Sequence, residues 1–516
     1  MIDLKKYNWT KGGNVFTAGF AWSGETFFTG QDFVALIQNN CTDFEQFKKL
    51  AGELNGQFSI VVEKENEIWA ICSISWTYPL FYINSNSRLA ISDRPESLFG
   101  KEEQPEIDEF AASYFLQFGV TPFERTLNKS INQVLPGELV VLQKNEDKAK
   151  SHFLAEKAKN STETKTTLEI ANHLTLVFES YYEHIKERQV LLPLTRGYDS
   201  RLLACLLAEL GHKKVLCATW GRANNSEKST AQKVAKQLGL RYQFIEYNEA
   251  LINGFQEDPT FIDYVQFSAH LSSMPYLQDY FAIKHLIENK LVDQDTVAFP
   301  GHPGDFLRGS HFKDSLMNLQ PSELGKTVSE AFGTSYPSIK QFRSELQEYL
   351  NQRFFEEQNL SPAKAYDFWD LQERQSKFIS NSNQVYTFFG VDVLMPLFDR
   401  KSLQFFSSID ARNKNRERLY NKALEDHFFK KHKVDFELKQ ISDQESPKLQ
   451  ALKNRLIKVA PHQLKTVYYP MNDSIFYREI TNQLRQNIKM KHPVKPHSFN
   501  AYIVQWYLNF LASQTK

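Results

Sequence analysis

The sequence predicts two parts: a β-rich α+β amino-terminal half, and an α/β half built on a parallel sheet and extended by helices. Three observations predict this. Between about residues 14 and 143, short aromatic and β-branched runs alternate with polar turns, the texture of a meander. Past residue 166 the apolar period becomes 3.6, and strands then alternate with helices as in a parallel α/β sheet. Between the two, Lys144 to Thr166 is polar, charged and aperiodic and reads as a linker. The expected domains are therefore 1–150 and 165–516.

In the first half, strands are expected at Val15–Ala18, Gln57–Val62, Ile68–Cys72, Pro79–Tyr82 and Leu89–Ser92. Polar turns such as Glu63-Lys64-Glu65-Asn66 separate them. Helices are expected over 43–53 and Ile107–Phe118, and Leu135-Pro136-Gly137 turns into a last strand, Glu138–Leu142. The second half opens with a helix that repeats Ile170, Leu174, Val177, Phe178, Tyr181 and Ile185. The strands Val190–Leu194, Lys214–Thr219 and Arg241–Glu246 then alternate with helices over 199–210 and 226–238. Thr296–Phe299 is a further strand. Beyond it the chain reads as helical, over Phe342–Asn359, Tyr366–Phe389, Ser402–Ile409 and Glu417–Lys431.

Composition narrows the function. The chain has 516 residues, and 61 Lys+Arg balance 61 Asp+Glu. A neutral total argues against nucleic acid as the partner, since such domains usually carry a basic excess. No apolar run approaches the ~18 residues that span a bilayer, so no membrane association is expected. The start, Met1-Ile2-Asp3-Leu4-Lys5-Lys6, lacks the pattern of a signal peptide, which points to a cytoplasmic protein. The four cysteines, Cys41, Cys72, Cys205 and Cys217, show no metal-type spacing. Cys205 and Cys217 sit in apolar runs and read as buried, inert thiols.

Two turns carry the chemistry. Thr195-Arg196-Gly197-Tyr198-Asp199-Ser200-Arg201 follows a buried-type strand and opens a helix, which makes an anion site at the sheet's carboxyl edge. Asp199 opposes a phosphate unless a cation lies between them, and a magnesium nucleotide resolves that conflict. The competing reading is an ordinary capped helix. Phe299-Pro300-Gly301-His302-Pro303-Gly304-Asp305 again follows a strand, so Asp199 and Asp305 together could hold a metal.

At this point the residues resemble a family. Leu194–Ser200 resembles the SGGxDS pyrophosphate loop of the asparagine synthetase family, and Gly301–Leu307 its GEGADEL turn. Gly390–Asp399 is similar to its GVEVRVPFLD segment, and Lys422-Ala423-Leu424 to the start of its KxxLR helix. Leu54–Phe58, Tyr78–Tyr82 and Thr126–Gly137 are like its amino-terminal landmarks, in order. The resemblance implies an Ntn-hydrolase-like first domain, of class II glutamine amidotransferase type. It implies a PP-loop second domain of adenine nucleotide alpha hydrolase type. The family's nucleophilic cysteine follows the initiator methionine, but Ile2 stands here, so no glutaminase activity is expected.

What carries over is an ATP-dependent ligase that adenylates a carboxylate, for attack by ammonia or an amine. Thr195, Gly197, Asp199 and Ser200 would hold pyrophosphate, and Asp199 with Asp305 would bind Mg²⁺. Backbone near Pro193, Thr219 and Gly301 would read adenine. Arg196 replaces the loop's first glycine and either adds a phosphate contact or obstructs the cradle. His302 stands where the asparagine synthetases have glutamate, and is read as a general base oriented by Asp392, against the alternative of a structural histidine. Lys422 is read as the cation neutralising the phosphates, against a surface lysine. The substrates implied are a small-molecule or peptide carboxylate and an amine; a homodimer is compatible with the resemblance. The alternatives are a non-catalytic, nucleotide- or partner-binding relative and, less favoured by the neutral charge, a PP-loop enzyme acting on tRNA.

Overall fold

Alternation along the first-half strands builds two cores on the two faces of one sheet. Val15, Ile60, Val62, Leu139 and Val141 point to one face, while Val61, Val140 and Leu142 point to the other. The computed structural model describes residues 1–85, 88–100, 106–154, 164–333, 340–409, 418–436, 473–486 and 499–514. In chain order the first half contains β1 (Ile2–Asp3), β2 (Trp9–Gly12), β3 (Val15–Ser23) and β4 (Thr26–Thr29). Helices α1 (Gly30–Gln38) and α2 (Phe44–Glu53) follow, then β5 (Asn55–Glu63), β6 (Glu67–Cys72), β7 (Phe81–Ser85) and β8 (Arg88–Ser92). Helix α3 (Glu109–Phe118) precedes β9 (Asn132–Gln133), β10 (Glu138–Gln143) and β11 (Lys150–Phe153).

Seven of these strands form one sheet, in the order β11-β10-β6-β5-β3-β2 with β4 on β3; four form a second, β1-β8-β7-β9. Helices α1 and α2 cover one face of the first sheet through Phe33, Val34, Ile37 and Phe47. The second sheet covers the other through Leu80, Phe81, Ala90 and Ile91. Two expectations need correction. The linker contains β11, which pairs antiparallel with β10 (Glu138↔Phe153), so the first domain runs past residue 150. Its exposed Lys150 and Ser151 give an edge strand no apolar signature. Residues 155–163 of that linker lie outside the described residues. The strand expected from Pro79 starts at Phe81; β2 and β4, four residues each, and the nine-residue α1 went unread.

In the second half, α4 (Thr167–Tyr182) starts on a capping box between Thr166 and Glu169. Then come β12 (Gln189–Pro193), α5 (Tyr198–Glu209), β13 (Val215–Gly221), α6 (Ser226–Gln237), β14 (Arg241–Glu246), β15 (Thr296–Ala298) and β16 (Asp392–Val393). Their sheet is wholly parallel, with order β14-β13-β12-β15-β16. Val190 and Leu192 join the core on one face and Leu191 the core on the other, which explains the unbroken apolar run. The order reverses between β12 and β15, and in open α/β sheets the crevice at such a reversal is where ligands bind.

The helix expected over Tyr366–Phe389 is instead composite. It begins at Pro362, passes into a π-helical stretch at Asp370–Ile379, and ends in Gln384–Phe388 after a 3₁₀ turn. The underwound stretch turns Asp370, Gln372, Glu373, Gln375, Ser376 and Lys377 into the interior. The expected helix from Glu417 is seen from Arg418, Glu417 lying outside the described residues.

Polar side chains join the halves. Buried Asp399 accepts from Asn55 Nδ2 (2.7 Å) and the Tyr181 hydroxyl (3.2 Å). Gln57 donates to the Val393 carbonyl (3.1 Å) and accepts from the Met395 N–H (2.8 Å). All four cysteines are buried, and burial pushes the thiols of Cys72, Cys205 and Cys217 up to about 12. Among the described residues no helix is long and apolar enough to cross a membrane.

Candidate active site

The loops after β12 and β15 meet at the sheet's carboxyl edge, on the two sides of the reversal. Their contact is between the Asp199 carboxylate and the backbone of Gly304. A Cβ added at Gly304 would lie 2.0 Å from Asp199 Cγ, and one at Gly301 would lie 3.2 Å from both Asp199 Cβ and the Ser200 nitrogen. Glycine at 304 is therefore what lets Asp199 sit one residue from Asp305. Gly197, in an extended conformation, caps α5, so the first turn of that helix begins at Tyr198. Helix starts present N–H groups without intrahelical acceptors. Within the loop, Ser200 Oγ accepts from the Thr195 N–H (3.1 Å) and Thr195 Oγ1 from the Gly197 N–H (3.0 Å), so the hydroxyls hold the turn open.

Arg196 is engaged already. Its N–H donates to Glu227 Oε2 (2.7 Å), and its Nε pairs with Glu227 Oε1 (3.2 Å). A carboxylate from the first turn of α6 thus occupies one donor of the anion loop. Fully buried Arg201 fastens the loop from behind, donating to the carbonyls of Arg196 (2.7 Å) and Val434 (2.6 Å). Pro193, Thr219 and Gly301 lie at the carboxyl ends of adjacent strands β12, β13 and β15, and the Thr219 hydroxyl donates to the Leu194 carbonyl (2.6 Å).

The donor set fits a hard cation delivered with phosphates. Asp199 and Asp305 supply two carboxylates, and Mg²⁺ typically takes one or two together with phosphate oxygens and water. Among the described residues no group of three or more metal-ligating side chains exists, so a cage made of protein alone is not what these residues offer. Asp305 pairs with Arg308, and Asp199 Oδ1 accepts from the Tyr420 hydroxyl (3.2 Å).

Three assigned residues sit differently from expectation. Asp392 does not approach His302: in the register it lies beside Val297, and it accepts from Arg188 Nη2 (2.6 Å), which precedes β12. It therefore lies beside the middle of β15, on the amino side of the turn that carries His302, and the expected base–orienter pair does not form. His302 itself is half-buried within that turn; burial drives its imidazole down to about 4, with Asp305 opposing and Arg374 adding to the depression. Lys422 is exposed on the helix Arg418–Leu424, and it is Tyr420 of that helix that reaches Asp199.

The depressed imidazole has a pH signature. The unfolded chain protonates near the ordinary histidine value of about 6.5, whereas folded His302 stays neutral to about 4. Between those values the unfolded state binds more protons, so this residue lowers stability as pH falls through the window. His302→Gln is expected to flatten the loss of urea midpoint between pH 6.5 and 4 relative to the native chain.

Residues not anticipated from the sequence include Glu227, Tyr420 and a histidine–carboxylate pair, His311 with Asp370. His311 Nδ1 lies 2.8 Å from Asp370 Oδ2, and Arg374 Nη1 lies 3.4 Å from the same ring. Only the acidic first turn of α6 was a visible signal; the other contacts join distant segments.

Comparison with known proteins bears on these turns. A family model described as asparagine synthase matches residues 185–495. Asparagine synthetase (glutamine-hydrolyzing) 1 of Bacillus subtilis (strain 168) is 23% identical over 224 residues, which is 42% of this chain and 34% of that protein. The chain thus spans about a third of the length of the curated relative it matches. Among solved structures, the NMN synthetase from Francisella tularensis is similar at 15% identity and TM-score 0.21, over 43% of this chain and 94% of that one. The NH3-dependent NAD synthetase from Campylobacter jejuni subsp. jejuni NCTC 11168 is similar at 14% identity and TM-score 0.22, over 44% and 94% of the two chains. The family match takes in both strand-end turns.

Proposed function

The chain belongs to the asparagine synthase family, and from that premise we propose that it is an ATP-dependent carbon–nitrogen ligase. A small-molecule or peptide carboxylate attacks the α-phosphorus of ATP, and pyrophosphate leaves with the electrons of the broken P–O bond. Ammonia or an amine then attacks the acyl carbon, the C–O bond to AMP breaks, and the amine's proton is taken up by a base. The observation that carries this reading is the seat of Asp199 against Gly304, beside Asp305, across the sheet reversal.

In this reading Thr195, Gly197 and Ser200 shape the phosphate cradle and the strand ends at Pro193, Thr219 and Gly301 border the adenine. Mg²⁺ held by Asp199 and Asp305 would neutralise the phosphate charge that grows as pyrophosphate leaves. His302, neutral above about 4, is in the protonation state of a base at neutral pH. Glutamine hydrolysis is no part of this reading, and the burial of all four cysteines is in keeping with that. Pyrophosphate exchange into ATP, with Mg²⁺ and a panel of carboxylic acids, tests the first half-reaction; no exchange with any acid would refute it. His302→Gln is expected to spare that exchange and abolish amide formation.

Glu227 favours a second reading, a relative that binds nucleotide weakly or binds a partner instead, because its carboxylate already takes one donor of the anion loop and pairs with the Arg196 side chain. The ligase reading makes the opposite prediction for its removal. Glu227→Gln takes one negative charge from the cradle, and ATP is expected to bind about fivefold tighter, on the order of 1 kcal/mol for a partly exposed charge. Titration calorimetry measures it; unchanged or absent ATP binding in both forms would support the second reading.

A further inference from the structure

Between α3 and the helical extension lies a cavity of about 220 Å³. Its walls are largely aromatic, from Phe118, Phe332, Trp369 and Phe378, with three polar residues: Asn500, and Glu373 and Arg374 side by side. Glu373 is fully buried. Its Oε2 accepts from Lys377 Nζ (3.0 Å) and the Phe123 N–H (3.1 Å), so the carboxylate is fixed, while Oε1 has no hydrogen-bond partner among the described residues. A buried acceptor left without a donor is costly, and it marks where a ligand's donor belongs. The Arg374 guanidinium lies 5.1 Å from the Phe332 ring centre and carries five donors, only part of which meet Asp370 and His311. His311 belongs to the loop that leads on from Asp305, so this arginine adjoins the candidate active site.

We propose that this cavity binds a free α-amino acid with an apolar or aromatic side chain, ammonium to Glu373 and carboxylate to Arg374. A cation and a carboxylate on consecutive residues match a zwitterion, and neither a simple amine nor a simple acid satisfies both. The aromatic walls take the side chain, and the volume suits a ligand smaller than those of the usual ~300–1,000 Å³ drug-sized pockets. A second carboxylate, as in aspartate, would lose its hydration against walls that are mostly aromatic. The role of this amino acid as a substrate rests on the ligase reading; its binding does not.

The test is calorimetry on the full chain without nucleotide, using L-phenylalanine, L-aspartate, 3-phenylpropionate and phenethylamine as probes. L-Phenylalanine is expected to bind saturably, and the other three at least tenfold more weakly. Arg374→Ala should weaken phenylalanine at least tenfold. Glu373→Gln strands buried Lys377 and risks misfolding, so the second variant is Ala331→Trp, at the exposed residue of the wall, which should block entry with folding intact. No saturable binding, phenylalanine equalled by any other probe, or binding unaffected by Ala331→Trp would overturn the proposal. ATP titrated into the same samples separates the readings. Phenylalanine binding without ATP binding sinks the ligase and leaves the pocket, and the reverse sinks the pocket alone.

Discussion

Gly304→Ala is expected to abolish pyrophosphate exchange, by at least a hundredfold, while the chain still folds. The added carbon would lie 2.0 Å from Asp199 Cγ, 2.2 Å from Oδ1 and 2.6 Å from Oδ2, separations that no non-bonded pair tolerates. The Asp199 side chain must rotate away, and doing so breaks its bond from the Tyr420 hydroxyl and removes it from Asp305. Loss of a charged group placed to act on the reacting phosphates costs about 3 kcal/mol or more of barrier, hence the hundredfold. Gly52→Ala is the control: it sits in α2 with nothing within 4 Å of the added carbon, and is expected to be neutral or slightly stabilising. Exchange within tenfold of native in Gly304→Ala would show that Asp199 is not part of the phosphate site.

Lys377→Met is expected to be the most destabilising single change in the chain's centre. The ammonium and its partner Glu373 are both fully buried, and Nζ also donates to the carbonyls of Thr121 (2.6 Å) and Phe123 (3.0 Å). Truncation leaves a buried carboxylate uncompensated and two carbonyls unpaired, at about 3–5 kcal/mol. That is a large fraction of the roughly 5–15 kcal/mol that holds a domain together. Replacing both residues, Glu373→Leu with Lys377→Met, is expected to cost less than Lys377→Met alone, since no charge is then stranded. Urea midpoints of the two variants measure the difference, and a double variant as unstable as the sum of the singles would show that the pair is not coupled.

The second-half sheet was legible because its inner strands β12 and β13 are buried on both faces and its edge strand β14 is rich in aromatic and β-branched residues. Val190 to Leu194, Val215 to Thr219 and Arg241 to Glu246 announce themselves as apolar or β-rich runs between helices. Asp199 and Asp305 were legible as site residues because each follows such a run directly. The pairing of His302 with Asp392 was not, since it depends on register. The two residues are linked to adjacent strands, but β16 enters the sheet at Val297, so Asp392 lies beside a strand's middle while His302 lies beyond its end. Glu227 illustrates the same limit: its position in the first turn of α6 was visible, but its reach to Arg196 depends on how two helices sit on one sheet. The π-helical stretch at Asp370–Ile379 also escaped notice, because its polar residues read as solvent-facing until underwinding turns them inward.

The buried thiols offer a spectroscopic opening. With Cys41, Cys72, Cys205 and Cys217 all enclosed, a maleimide dye added to the folded chain should leave the native cysteines unlabelled. Ala331→Cys, a small change at an exposed residue on the rim of the aromatic cavity, would then be the one site to react. The rate at which that cysteine takes up dye would fall as each candidate ligand occupies the cavity, and no native sulfur need be removed.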